Sequence, residues 1–207
     1  MAPAAAMTGR RRIGVLGGTF NPPHLGHLIL ARECLWQRGL DEVHLVVSAR
    51  PPHRDAPSVD PETRLRMVDA AVTGFPDLHA SRIEIDRPGP SYTADTLEGL
   101  AAASPGTEFT LIIGADQLLG FHAWRDPERI TAVARLAVVA RGAADLETLA
   151  EAAEHVAPGR VDLVAMPTIE ISSTMVRDRA RTGAPYDHLV PRPVAEQIAA
   201  LHLYGSP

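Results

Sequence analysis

The chain has 207 residues, a length for one domain; 45% are apolar and only 4% aromatic, so aliphatic side chains must fill the core. A formal net charge of −5 argues against a general nucleic-acid binder, and no apolar run approaches the ~18 residues needed to cross a membrane. One cysteine, Cys34, rules out an internal disulfide and suits a reducing, cytoplasmic setting.

Met1 to Arg12 reads as a flexible tail, and residues 13–207 as a single domain. Ile13-Gly14-Val15-Leu16 is an apolar run of strand type, and Leu28 to Trp36 a helix. Between them stands Gly17-Gly18-Thr19-Phe20-Asn21-Pro22-Pro23-His24-Leu25-Gly26-His27. Two glycines without Cβ atoms let backbone N–H groups approach a ligand, and a helix N-terminus adds free N–H groups and partial positive charge, which suits phosphate. His24 and His27 are three apart, so one helical turn places both imidazoles on the same side. Trp36, on the same helix, reads as packing.

Glu42 to Val47 is a second strand, and Ser48 to Pro57 a proline-rich loop. Asp60-Pro61-Glu62 opens a helix with a cap, a proline and a first-turn acid. Arg82-Ile83-Glu84-Ile85-Asp86 alternates as a strand does, and a helix follows Ser91-Tyr92-Thr93, with Ser91 or Thr93 as its cap. Phe109 to Ile113 is a near-continuous apolar strand ending at Gly114-Ala115-Asp116, where open α/β sheets bind ligands. A helix start at Asp126-Pro127-Glu128, a strand Leu136 to Ala140, a helix from Asp145, a strand Val161 to Ala165 and a helix from Pro191 complete the order. The alternation predicts an α/β fold with a doubly wound parallel sheet. Ser172-Ser173-Thr174 stands where another helix begins; its hydroxyls can cap that helix or hold phosphate, with Arg177 one turn later.

The opening run resembles the G-G-T-F-D/N-P-x-H-x-G-H signature of the nucleotidyltransferase superfamily. Ile171-Ser172-Ser173-Thr174 with Arg177 is similar to the I-S-S-T-x-x-R motif of bacterial nicotinate-nucleotide adenylyltransferases. Pro51-Pro52-His53-Arg54 resembles their P-P-H-K loop, Ser91 to Leu97 their S-Y-T-x-D-T-L, and Gly114-Ala115-Asp116-Gln117-Leu118 with Trp124 their G-A-D-x-L and tryptophan. Arg141-Gly142 also fits. Arg54 replaces the usual lysine in a chain that has no lysine at all, and Asn21 stands where many members have Asp.

The resemblance implies a Rossmann-like nucleotidyltransferase fold that joins ATP to nicotinate mononucleotide, giving nicotinate adenine dinucleotide and pyrophosphate in NAD biosynthesis. It implies in-line attack by the acceptor phosphate, with no covalent enzyme intermediate and with Mg²⁺ bridged by substrate phosphates rather than held by protein ligands. His24, His27 and Arg177 are the expected catalytic residues. Gly17, Gly18, Thr19, Phe20, Arg54, Gly114, Asp116, Ile171, Ser172, Ser173 and Thr174 are expected around ATP. Thr93, Trp124 and Arg141 are expected around the mononucleotide. A homo-oligomer is compatible with the sequence. The alternatives are a phosphopantetheine or nicotinamide mononucleotide adenylyltransferase, or a nucleotide-binding sensor without turnover.

Overall fold

The structure, a computed structural model, describes residues 10–51, 57–141 and 145–205. Six parallel strands form one sheet in the order β3-β2-β1-β4-β5-β6. They are β1 (Arg12–Gly18), β2 (Glu42–Val47), β3 (Leu78–Ser81), β4 (Glu108–Gly114), β5 (Ala134–Arg141) and β6 (Val161–Met166). Of the expected tail, Arg12 already opens β1, and its backbone N–H donates to Asp41.

Among the described residues eight α-helices flank the sheet: α1 (Leu25–Arg38), α2 (Pro61–Val72), α3 (Thr93–Ala103), α4 (Ala115–Leu119), α5 (Pro127–Val133), α6 (Asp145–Val156), α7 (Ser173–Thr182) and α8 (Arg192–Ala200). They divide evenly over the two faces. Leu28, Ala31 and Cys34 of α1, Met67 and Val68 of α2, Val176 of α7 and Ile198 of α8 pack one face. Leu97 of α3, Leu118 of α4, Ile130 of α5 and Leu149 of α6 pack the other. The strands between are apolar on both sides, as a sheet covered twice requires. The strand order reverses between β1 and β4, and their carboxyl ends leave a crevice between outgoing loops.

Local signals behave as their chemistry dictates. Asp60 caps α2 by accepting from the Thr63 N–H at 2.9 Å, and Gly39 ends α1 in the left-handed region at φ 57°. Three expectations are corrected. The third strand is Leu78–Ser81, four residues before the alternating segment. Arg82 to Asp86 is instead a turn whose Arg82 carbonyl accepts from the N–H groups of Ile85 and Asp86. Ile83 and Ile85 alternate because they pack into opposite cores as the chain rounds the sheet end. Neither Ser91 nor Thr93 caps α3: Tyr92 is its N-cap, and the Ser91 hydroxyl accepts from the Ala49 and Arg50 N–H groups at 3.0 and 3.1 Å. Trp36 is 78% exposed, because it falls off the buried Leu28, Ala31, Cys34 stripe of α1.

Candidate active site

β1 ends at Gly18, and the chain turns through Thr19, Phe20, Asn21 and Pro22 to reach α1. Phe20 takes a positive φ of 48° and folds its ring back under the turn. A Cβ on Gly18 would lie 2.9 Å from that ring, so residue 18 has no room for a side chain. The other side of the Phe20 ring meets His27 edge-on, with centroids 4.9 Å apart. Gly26 is constrained likewise: a Cβ there would stand 3.0 Å from His24 Nδ1 and 3.8 Å from the Ile171 carbonyl oxygen.

His24 is the N-cap of α1 and His27 lies one turn on, and their rings stack with centroids 3.7 Å apart. The backbone N–H of His24 donates to His27 Nδ1 at 3.1 Å. In the neutral ring the proton therefore sits on Nε2, which is left as a hydrogen-bond donor. Burial, and next the neighbouring His24, hold the His27 imidazole well below its ordinary value of 6.5. His27 is thus a neutral donor at pH 7, able to bind an anion without carrying a charge of its own.

The late motif meets the early one. Ser172 caps α7 by accepting from the Met175 N–H at 3.1 Å, and Ser173 Oγ donates to the Pro22 carbonyl at 2.8 Å. Arg177 donates to the Asn21 carbonyl at 2.8 Å and to Thr174 Oγ1 at 3.1 Å. These contacts assign the hydroxyls different work. The Ser173 proton is committed to Pro22, whereas Ser172 and Thr174 act as acceptors and keep their own protons for a ligand. Asn21 ties the turn to two distant segments. It is buried, donates to Ser58 Oγ at 3.3 Å, and accepts from the Tyr204 hydroxyl at 2.8 Å. Burial pushes the Tyr204 phenol up, so it stays a protonated donor.

His24, His27, Thr19, Phe20, Ile171 to Thr174 and Arg177 line one open cleft of about 700 Å³. A narrower chamber of about 200 Å³ adjoins it, walled by Gly17, Thr93, Trp124, Gln117 and the apolar ends of β1 and β4. Gly18 and Thr19 belong to both walls. The two spaces therefore meet at the carboxyl end of β1. Trp124 packs on Phe121 with centroids 5.4 Å apart and contributes to the chamber wall.

Not every expected residue joins. Gly114 caps α4 and donates to Gln117 Oε1 at 2.9 Å; a Cβ there would lie 2.7 Å from Asp116 Oδ1. Asp116 is exposed at the start of α4 and lines neither space, and Gln117 of the same turn lines the chamber instead. Arg141 ends β5 in register with Met166, which lines the larger cleft; its side chain lies outside the described residues, as does Arg54 with its loop. Cys34 is fully buried and its thiol is pushed up to about 12, so it carries no thiolate chemistry.

Two contributors escaped the sequence reading. Arg64, on α2, is fully buried. Its guanidinium donates to the carbonyls of Val59, Thr19 and Ser48 at 3.0, 2.7 and 2.8 Å, joining the β1 and β2 exits. Burial lowers its pKa, yet no partner among these is an anion. Glu84 is buried in the chamber wall. Its only sequence signal was a carboxylate between two isoleucines, which reads as the outward side of a strand.

The sequence profile of the cytidylyltransferase-like family matches residues 15–179. A "probable nicotinate-nucleotide adenylyltransferase" of Carboxydothermus hydrogenoformans is 37% identical over 196 residues, covering 93% of this chain and 98% of that protein. One of the same name from Saccharopolyspora erythraea is 41% identical over 199 residues, covering 96% and 92%. Among solved structures, Plasmodium falciparum nicotinic acid mononucleotide adenylyltransferase complexed with NaAD superposes with a TM-score of 0.79 at 15% identity, covering 95% of this chain and 98% of that one. With the profile spanning most of the chain and relatives matching nearly end to end, the chain belongs to the cytidylyltransferase-like nucleotidyltransferases and, among them, to the nicotinate-nucleotide adenylyltransferase family.

Proposed function

We propose that the protein transfers the adenylyl group of ATP to nicotinate mononucleotide, forming nicotinate adenine dinucleotide and pyrophosphate for NAD synthesis in the cytoplasm. The observation that carries this reading is the meeting of a donor-lined cleft and a Trp124-walled chamber at Gly18–Thr19. One space suits a triphosphate and the other a heteroaromatic ring, and their shared edge is where two phosphates can come together. The names of the relatives point to the same substrates.

An acceptor phosphate oxygen attacks the α-phosphorus of ATP; the bond from that phosphorus to the β-bridging oxygen breaks, and pyrophosphate leaves with the electron pair. The attacking group is already an anion at pH 7, so no general base is required. What must be overcome is repulsion between two polyanions and charge gathering on non-bridging oxygens. His27 Nε2–H, the hydroxyls of Ser172 and Thr174, and the guanidinium of Arg177 supply donors for that charge. Arg177 is held in place by the Asn21 carbonyl and Thr174. Among the described residues, none lining the larger cleft is Asp or Glu. Mg²⁺ held by the ATP phosphates rather than by protein carboxylates would supply neutralisation of their charge. In the chamber, Trp124 stacks on the ring while N–H groups at the start of α3 receive its carboxylate.

The test is pyrophosphate release from MgATP with nicotinate mononucleotide, nicotinamide mononucleotide and 4′-phosphopantetheine in parallel. Turnover fastest with nicotinate mononucleotide is expected. Preference for phosphopantetheine, or ATP binding without pyrophosphate release, would overturn the reading.

A further inference from the structure

Glu84 is 8% exposed at the chamber wall, its position fixed by Ile83 and Ile85 anchored in opposite cores. One carboxylate oxygen, Oε1, lies 2.7 Å from the Thr96 hydroxyl. That hydroxyl also lies 3.1 Å from the Tyr92 carbonyl, but the shorter contact is to an anion and takes the proton. The Arg87 guanidinium reaches Thr96 Oγ1 at 3.1 Å, one hydroxyl away from the carboxylate. The second oxygen, Oε2, is buried with no hydrogen-bond partner, and among the described residues Glu84 makes no ion pair within 4.0 Å. A buried carboxylate left this way is costly unless something positive arrives to meet it.

The acceptor brings such a charge. A pyridine ring joined to ribose through its nitrogen is a permanent cation at every pH. We propose that Glu84 is the counter-charge that recognises this pyridinium and sets which way the ring faces. Val15, Val46 and Leu111 give the chamber apolar walls, so a charge pair inside it is weakly screened. Trp124, in the same wall, presents an aromatic face to the same cation. The ring carboxylate is repelled by Glu84 and turned toward the N-terminus of α3, where Thr93 lines the chamber. Glu84 thus selects the ring by its nitrogen while α3 selects it by its substituent.

The inference rests on the acceptor reading above, which wild-type turnover of nicotinate mononucleotide tests by itself. The probe for Glu84 is the matched C-riboside 5′-phosphate, in which benzoate replaces the pyridinium: same shape, same carboxylate, no ring charge. Wild-type protein should bind the pyridinium form about tenfold more tightly than the carbon analogue. Glu84→Gln keeps an acceptor for Thr96 and removes the charge, with an NH₂ group standing where Oε2 stood. It should raise KM for nicotinate mononucleotide about tenfold, move KM for ATP and kcat by less than about threefold, and cut the preference for the charged ring to the small part that the Trp124 face supplies. Equal loss toward both rings, or an unchanged preference, would refute the assignment. Should Glu84→Gln fail to fold, equal affinity of wild-type protein for the two rings would refute it alone. If nicotinate mononucleotide is not turned over at all, the functional reading fails and not this step.

Discussion

The two spaces that meet at Gly18–Thr19 are built on opposite plans. The larger is polar and open, and its donors come from two short continuous runs, residues 17–27 and 171–177. The smaller is narrow and mainly apolar, and its lining is scattered over β1, β2, β4, α3 and several connecting segments. One handles charge with several convergent donors; the other depends on a few polar groups set in apolar walls. Substitution in the first should therefore damage the chemistry of the step, and in the second the selection of the acceptor.

The largest test of that division is His27→Ala. It removes a neutral donor from the larger cleft and should lower kcat by about 10²–10³. A folded variant with near-normal kcat would take histidine out of the mechanism and dissolve the contrast. Next comes Arg64→Met, which strips three backbone carbonyls of their donor at the seam between the spaces. Stability measured by urea unfolding should fall by about 2–4 kcal/mol, and both KM values should rise together. A rise in only one KM would show that the seam does not serve both sides. Trp124→Ala should raise KM for the mononucleotide about tenfold and leave KM for ATP unchanged, as loss of one stacked ring allows. Equal rises would merge the two spaces into one site.

The smallest effect is on acid stability. The folded protein holds His27 below 6.5 while the unfolded chain does not, so on acidification the unfolded state takes up its proton first. The His27 contribution is therefore fully present above pH 6.5 and is lost as pH falls through the depressed folded value. His27→Gln has no such loss. Its thermal midpoint relative to wild type should improve by about 2–4 °C between pH 7.5 and pH 5. A constant difference across that range would mean His27 titrates normally.

The same contrast explains what could be read from the chain. The strand-and-helix alternation carried the doubly wound sheet because apolar runs and caps are local properties. That His24, His27, Ser172 and Arg177 share one cleft was legible because spacing along one turn or one helix end fixes where they can point. Chamber residues have no such spacing. Glu84 sits in a segment whose period of two belongs to a turn joining two cores, and Arg64 occupies a helix position that an ordinary surface arginine would share. Asp116 shows a further side of this: a glycine and an acid at a strand end look like a ligand site, and here the glycine also yields room to the acid itself.

The Tyr204 hydroxyl reaches back 183 positions to hold Asn21, whose carbonyl in turn holds Arg177. During synthesis, β1 and both imidazoles leave the ribosome long before this contact is available. A growing chain can thus lay down its six strands before the contact that runs from Tyr204 through Asn21 to Arg177 is able to form.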